Sequence, residues 1–324
     1  MDRIRWGILS TGNIARSFTK DLKITEGAEV LAVGSRTQAT ADEFAERYQI
    51  PRAYEGYQAL ADDPDVDVIY VGTPHTFHYE NTLMCLEGGK HVLCEKPIAV
   101  NARQTREMIN MARRKNLFLM EAWWTRFLPS TIKLLELLPQ IGPVRSVMAD
   151  FGSYFRFEPT HRLFDKSLGG GSLLDVGIYP VSLAMLILGR PDQILTSAHL
   201  GETGVDINAS YIFHYNNGSM AVLHSSLVGD TAMVAQITGE KGRLTLPSPF
   251  WMAHSVEFTR ESDEVTVYQM PTTGKGYSHE ADEVMHCIRE GRIESKLRPL
   301  SATLDVMEVM DSIRAEWGLV YEAD

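Results

Sequence analysis

"GILSTGNIAR" (Gly7–Arg16) joins an apolar run to a polar, helix-forming one, and its reading decides the fold of the first third of the chain. "IRWGILS" ahead of it reads as a buried strand, and the residues from about Asn13 to Lys23 read as a helix. A strand that turns sharply into a helix exposes unpaired N–H groups at the positive end of the helix dipole, a site suited to a pyrophosphate. The dinucleotide fingerprint at such a turn is G-x-G-x-x-G/A. Here Gly12 and Ala15 hold the second and third places, and Ser10 occupies the first. The alternative is an ordinary tight strand-to-helix turn; the β-α-β setting favours the nucleotide reading.

The same alternation continues outward. "AEVLAVGSR", "VDVIYVGTP", "KHVLCEKP" and "LFLMEAWW" read as further strands, separated by the helical segments "TADEFAERY", "FHYENTLMCLEGG" and "NARQTREMINMARRKN". Strands apolar on both faces and alternating with helices predict a parallel sheet covered by helices, a Rossmann domain over residues 1–123. The pattern then changes. A helix is expected near Ser130–Leu138, followed by strand-like runs. "NNG" within "NASYIFHYNNGSMAVLHSSL" signals a hairpin, and "AMVAQITGEKGRLTLP" reads as a second one. "SATLDVMEVMDSIRAEWG" is an amphipathic helix. Residues 124–324 are therefore expected to form an α+β domain with an open, mainly antiparallel sheet, used for substrate binding and dimerisation.

Composition limits the partners. The chain has 324 residues, 44% hydrophobic and 23% charged, with a formal net charge of −11. That balance opposes nucleic acid and anionic membranes as partners. Three cysteines, Cys85, Cys94 and Cys287, do not make a disulfide framework. The opening "MDRIRWGILS" runs straight into a strand, so no signal peptide is expected, and no uncharged apolar run predicts a membrane span. The expected setting is the cytoplasm.

Cofactor type is read at the end of the second strand, where an Asp or Glu would hold the ribose hydroxyls of NAD. Gly34-Ser35-Arg36-Thr37 has no acid there. A guanidinium and a hydroxyl suit a 2′-phosphate, so NADP is expected, with NAD possible; the bland reading makes Arg36 a surface residue. "CEKP" (Cys94–Pro97) ends a strand, which aims Lys96 at the crevice outside the carboxyl ends of the sheet. "TPHTFHYE" offers His75 and His78, but no second ligand pair at metal spacing, and no metal is expected. Trp123, Trp124 and Arg126 in "EAWWTRF" suit core packing or a sugar or aromatic pocket.

"GGGSLLDVGIYP" (Gly169–Pro180) places a carboxylate and a phenol four residues apart in an apolar element. On a helix Asp175 and Tyr179 share a face. A tyrosine can exchange a carbinol proton when a cation such as Lys96 lowers its pKa, with Asp175 orienting a partner. Ser172-Leu173-Leu174-Asp175 also fits S-x-x-D, a capping box, and both readings stand.

"GILSTGNIA", "VGTPHTFH", "CEKP", "MEAWWTRFLP" and "GGGSLLDVGIYP", in that order, resemble the glucose–fructose oxidoreductase / inositol dehydrogenase / MocA (Gfo/Idh/MocA) family over essentially the whole chain. They look closest to its dimeric dihydrodiol dehydrogenase and NADP-dependent xylose dehydrogenase branch. The resemblance implies an NADP-dependent dehydrogenase or reductase acting on a sugar, polyol or diol. It implies Lys96, Asp175 and Tyr179 as catalytic residues. Ser10, Thr11, Gly12, Asn13, Ile14, Ser35, Arg36, Thr73, Pro74, His78, Glu95 and Lys96 would hold the cofactor, and Trp124, Arg126 and Tyr179 the substrate. The family also implies a homodimer or a higher homo-oligomer, and a Lys-Pro peptide that is often cis. An NADP-binding sensor without turnover, and a redox-assisted glycosidase or lyase, are the alternatives on the same scaffold.

Overall fold

A computed structural model describes residues 3–324 and divides them into two compact units. The first comprises the residues up to Phe127 together with Thr273–Leu304. Its centre is a six-stranded, all-parallel sheet formed by β1 (Ile4–Leu9), β2 (Ala28–Ser35), β3 (Arg52–Glu55), β4 (Val68–Val71), β5 (His91–Glu95) and β6 (Leu119–Ala122). The spatial order is β3-β2-β1-β4-β5-β6. Strand order reverses between β1 and β4, the topological switch point at which open α/β sheets bind ligands. Strands β1, β4, β5 and β6 are buried on both faces, as their unbroken apolar runs predict: Trp6, Ile8, Val68, Tyr70, Val92 and Leu119 are all fully buried. Helices α1 (Asn13–Leu22), α2 (Gln38–Tyr48), α3 (Tyr57–Ala61), α4 (His78–Glu87) and α5 (Ala102–Lys115) connect them. Short β3 and α3 had no periodic signal long enough to read.

The second unit comprises Leu128–Thr272 and Asp305–Asp324. Its helices are α6 (Pro129–Leu137) and α7 (Ile178–Leu188), and its eight strands are β7 (Val144–Gly152), β8 (Gln193–Leu200), β9 (Asp206–His214), β10 (Met220–Ser226), β11 (Ala235–Gly239), β12 (Gly242–Leu246), β13 (Ser255–Arg260) and β14 (Val265–Gln269). They form one sheet in the order β14-β13-β12-β11-β7-β10-β9-β8, antiparallel except for the β7–β10 pair. Both expected hairpins are present, β9–β10 and β11–β12. Helical turns from Lys166 to Leu188 are long and apolar enough to cross a membrane, but 78% of the apolar window is buried within the protein. On the sheet's uncovered face, Leu195, Ile212, Val222 and Met148 stand in register on four neighbouring strands. Leu195, Val222 and Met148 are 49%, 41% and 52% exposed.

The division differs from the expected one of 1–123 and 124–324. The break falls after Phe127, and the segment 273–304, with α8 (Tyr277–Arg289), returns to the first unit. Two long-range contacts account for this. Asp21 at the end of α1 accepts the N–H groups of Lys275 (2.8 Å) and Tyr277 (3.0 Å), closing the start of α8. Glu121 on β6 is fully buried and needs a cation, which Arg298 supplies through Nε (3.2 Å) and Nη2 (2.5 Å). The final helix, α9 (Leu300–Ala315), lies where the tail predicted it.

Candidate active site

The fingerprint turn leaves β1 through Ser10, which takes φ 108°, a conformation glycine adopts freely and other residues adopt at a cost of about 1–3 kcal/mol. Serine compensates in part, because its Oγ accepts the Gly12 N–H at 3.1 Å. Gly12 then stands at the N-cap of α1 and offers no side-chain cap. Two other helices of the unit begin differently: Thr37 caps α2 by accepting the Thr40 N–H, and Asn101 caps α5 by accepting the Gln104 N–H. The start of α1, with Thr11, Gly12, Asn13 and Ile14, is left open for an anion, which fits a dinucleotide's pyrophosphate.

At the end of β2, Ser35 is buried within a chain of hydroxyls. Its Oγ lies 3.3 Å from Thr11 Oγ1 and 2.7 Å from Thr40 Oγ1, which in turn lies 2.9 Å from Thr37 Oγ1. Arg36 is exposed just beyond it. Ser35 therefore supports the loop from below, and the exposed hydroxyls of Thr37 and Thr40, which the sequence reading did not single out, stand beside Arg36. A cation with donor hydroxyls and no carboxylate fits a 2′-phosphate.

The Lys96 turn is fixed on every side. The Lys96–Pro97 peptide is cis. The Lys96 N–H donates to Glu95 Oε2 (3.1 Å), the Pro97 carbonyl meets His78 Nδ1 (2.7 Å), and the Ile98 N–H donates to Glu121 Oε1 (3.2 Å). Glu95 also accepts the Tyr70 hydroxyl at 2.5 Å, and burial pushes its carboxyl up to about 7. His78, expected to hold the cofactor, opens α4. It is fully buried, and its second nitrogen, Nε2, meets the Thr73 carbonyl at 2.7 Å. The two ring nitrogens face the Pro97 and Thr73 carbonyls, so His78 links the Thr73-Pro74 turn to the Lys96-Pro97 turn. Burial holds its pKa below the usual histidine value. Thr73 accepts from Asn81 Nδ2 through its own hydroxyl at 3.1 Å. Trp124 is buried with its ring 4.8 Å from that of Tyr277. Arg126 donates to the Leu297 carbonyl at 2.9 Å and leaves Nη1 buried without a hydrogen-bond partner among the described residues. Both belong to the first unit, not the second as expected.

In the second unit, Leu173–Gly177 forms a π-helical turn that runs into α7. Asp175 lies within that turn and Tyr179 lies in α7. The capping-box expectation is not met. Ser172 has helical backbone angles and makes no cap; its hydroxyl donates instead to Asp206 Oδ2 at 2.7 Å. Asp175 pairs with Arg162, Nη1 to Oδ1 at 2.8 Å and Nη2 to Oδ2 at 3.4 Å. Tyr179 lies in an aromatic cluster, its ring 5.6 Å from Phe151 and 6.0 Å from Trp251, which stack on each other at 3.4 Å. Arg162, Phe151 and Trp251 escaped the sequence reading. No periodicity links them to Tyr179; only the sheet brings them there. No group of three metal-ligating side chains occurs among the described residues.

Residues 4–122 match the oxidoreductase family with an NAD-binding Rossmann fold, and residues 139–245 match the GFO/IDH/MocA C-terminal domain. The chain is 38% identical to the trans-1,2-dihydrobenzene-1,2-diol dehydrogenase of Xenopus tropicalis, over 98% of this chain and 99% of that protein. Among solved structures, a 3-ketoreductase from Actinomadura kijaniata in complex with NADP and TDP-benzene superposes with a TM-score of 0.87 at 26% identity, covering 97% of this chain and 98% of that one. An aldose-aldose oxidoreductase from Caulobacter crescentus, complexed with glycerol, gives a TM-score of 0.87 at 25% identity, over 98% and 99% of the two chains.

Proposed function

The chain belongs to the Gfo/Idh/MocA oxidoreductase family, and from that membership we propose that it moves a hydride between NADP and a ring-borne carbinol, a cyclic vicinal diol or a sugar. The observation that carries this reading is the seat of Tyr179: a phenol in the wall made by Phe151 and Trp251, four residues from a carboxylate held by Arg162. Stacked aromatic rings suit the flat face of a cyclohexadiene diol or the apolar face of a pyranose.

When bound, NADP supplies the hydride acceptor; the open start of α1 receives its pyrophosphate, and Arg36 with Thr37 and Thr40 its 2′-phosphate. Tyr179 exchanges the proton of the substrate hydroxyl. Lys96, at the carboxyl end of β5, supplies a positive charge suited to polarising a carbonyl oxygen in the reverse direction. Asp175, paired with Arg162, fixes orientation and does not take the proton itself.

The test is to follow NADPH absorbance across aldoses, inositols, dihydrodiols and dicarbonyls. Turnover is expected on dihydrodiols or aldopyranoses. Tight NADP binding with no turnover across the whole panel would instead support a sensor. The in-register apolar stripe Leu195–Ile212–Val222–Met148 is the face on which a second copy would pack, giving a homodimer. Val222→Glu is expected to yield monomers by light scattering. Cys85, Cys94 and Cys287 are free and buried, which suits a reducing compartment such as the cytoplasm.

A further inference from the structure

The glycine run ahead of Asp175 is shaped by a carboxyl that the reaction does not use. Gly171 adopts φ 119°, and a side chain there would collide with Asp206 Oδ1. Asp206, at the start of β9, is fully buried. Its Oδ2 accepts both the Ser172 hydroxyl and the Leu173 N–H, each at 2.7 Å. The Ser172 hydroxyl lies 2.8 Å from that of Ser225, which lies 2.5 Å from the Tyr211 hydroxyl. At the far end of the π turn, a Cβ on Gly177 would stand 2.9 Å from Tyr211 Oη and 3.2 Å from Ser225 Oγ. The Tyr321 hydroxyl donates to the Gly170 carbonyl at 2.6 Å. A polar ladder, Asp206–Ser172–Ser225–Tyr211, therefore runs under the turn from its first residue to its last, and glycines at 171 and 177 let it approach.

A π turn holds one residue more than an α turn, so relaxing it to α geometry rotates the preceding side chains by about 100° relative to those that follow. Asp175 lies inside the turn and Tyr179 beyond it, so the ladder sets the angle between them. We propose that Asp206 is a positioning residue for the reaction: it seats the π turn that orients Asp175 with respect to Tyr179. This rests on the assignment of Tyr179 as the proton-exchanging group.

The experiment uses the full chain with Asp206→Asn, which keeps the shape and an acceptor oxygen, and Ser225→Ala, which cuts the ladder one step away. NADP+ affinity by fluorescence, kcat, KM and the pH profile of kcat are measured for each. Asp206→Asn is expected to leave NADP+ affinity and KM near wild type, to lower kcat by about 10- to 100-fold, and to move the basic limb of the profile, because the surroundings of Tyr179 have changed. Ser225→Ala is expected to show the same pattern more weakly. If Asp206→Asn fails to fold, Ser225→Ala and Tyr211→Phe carry the test. Folded variants with wild-type kcat and pH profile overturn the proposal. Tyr179→Phe separates the two failures: full turnover in that protein removes the assignment of Tyr179, whereas its loss alongside wild-type ladder variants removes only the role of Asp206.

Discussion

Two helix starts in this protein are built in opposite ways. Helix α1 begins at Gly12 with no side chain over its N–H groups, while the π turn ahead of α7 has its Leu173 N–H taken by a carboxyl 33 residues away. The first has no side-chain cap of its own, and an anion would complete it. The second is complete within the protein, so nothing needs to bind its backbone, and its use lies in the side chains it presents. A glycine-rich helix start is thus not one signal. Where glycine leaves N–H groups bare it points to a phosphate; where glycine makes room for a buried acid it points to a fixed side-chain geometry.

The largest effect expected from breaking this contrast is on the closed start. Tyr179→Phe removes the hydroxyl and keeps the ring, so kcat should fall about 10²–10⁴-fold while NADP affinity stays unchanged in a titration. Lys96→Met should also lower kcat severely. The double variant should cost less than the product of the two, since groups that act as a unit are not additive. Near-normal turnover for Tyr179→Phe would reduce that tyrosine to a packed ring.

Next in size is the open start's phosphate reader. Arg36→Ala should weaken NADP by about 1.5–3 kcal/mol, as for a hydrogen bond to a charged group, and leave NAD binding unaltered. Equal losses for both cofactors would show that Arg36 does not read the 2′-phosphate. Gly12→Asp converts the open start into a closed one by adding a carboxylate cap. It should weaken NADP and NAD alike, by about tenfold or ~1.4 kcal/mol, without lowering the melting temperature. A variant that binds both cofactors normally would show that the bare N–H groups are not the phosphate site.

The smallest effect concerns stability. Burial pushes the Asp206 carboxyl up to about 7, with Tyr211 and Tyr321 as the ionisable groups beside it. Between about pH 4 and pH 7 the folded chain keeps a proton that the unfolded chain has lost, so this group makes the fold less stable as pH rises through that window. Asp206→Asn should flatten the slope, so that its melting temperature drops by a few degrees less than that of the wild type between pH 5 and pH 8. Parallel curves would place the Asp206 pKa near its ordinary value.

Much of the fold was legible because it is written locally. Strands such as "VDVIYVGTP" are apolar without a break, hairpin β9–β10 turns on "NNG", and Ser10–Ile14 mark a strand-to-helix turn that the structure contains. Other elements carried weaker local signals. β3 spans four residues, and β8 and β14 are edge strands whose half-exposed faces resemble loops. The aromatic wall of Phe151 and Trp251, and the Arg162–Asp175 pair, join side chains with no sequence period between them. His78 is a related case: its place after the third predicted strand is local, but only packing shows that its ring nitrogens face the Pro97 and Thr73 carbonyls.

The sequence by itself determined the parallel sheet, the fingerprint turn, the missing acid after β2 and the presence of Lys96, Asp175 and Tyr179. Those features depend on residue types within a few positions of one another, where backbone geometry links neighbours directly. Tertiary structure alone decided that residues 273–304 rejoin the first unit, that Arg298 pairs with Glu121 across 177 positions, and that Asp206 rather than Ser172 closes the π turn. A buried charge or N–H must find a partner, but the need is met by whatever the topology brings within about 3 Å, and sequence spacing carries no record of that choice.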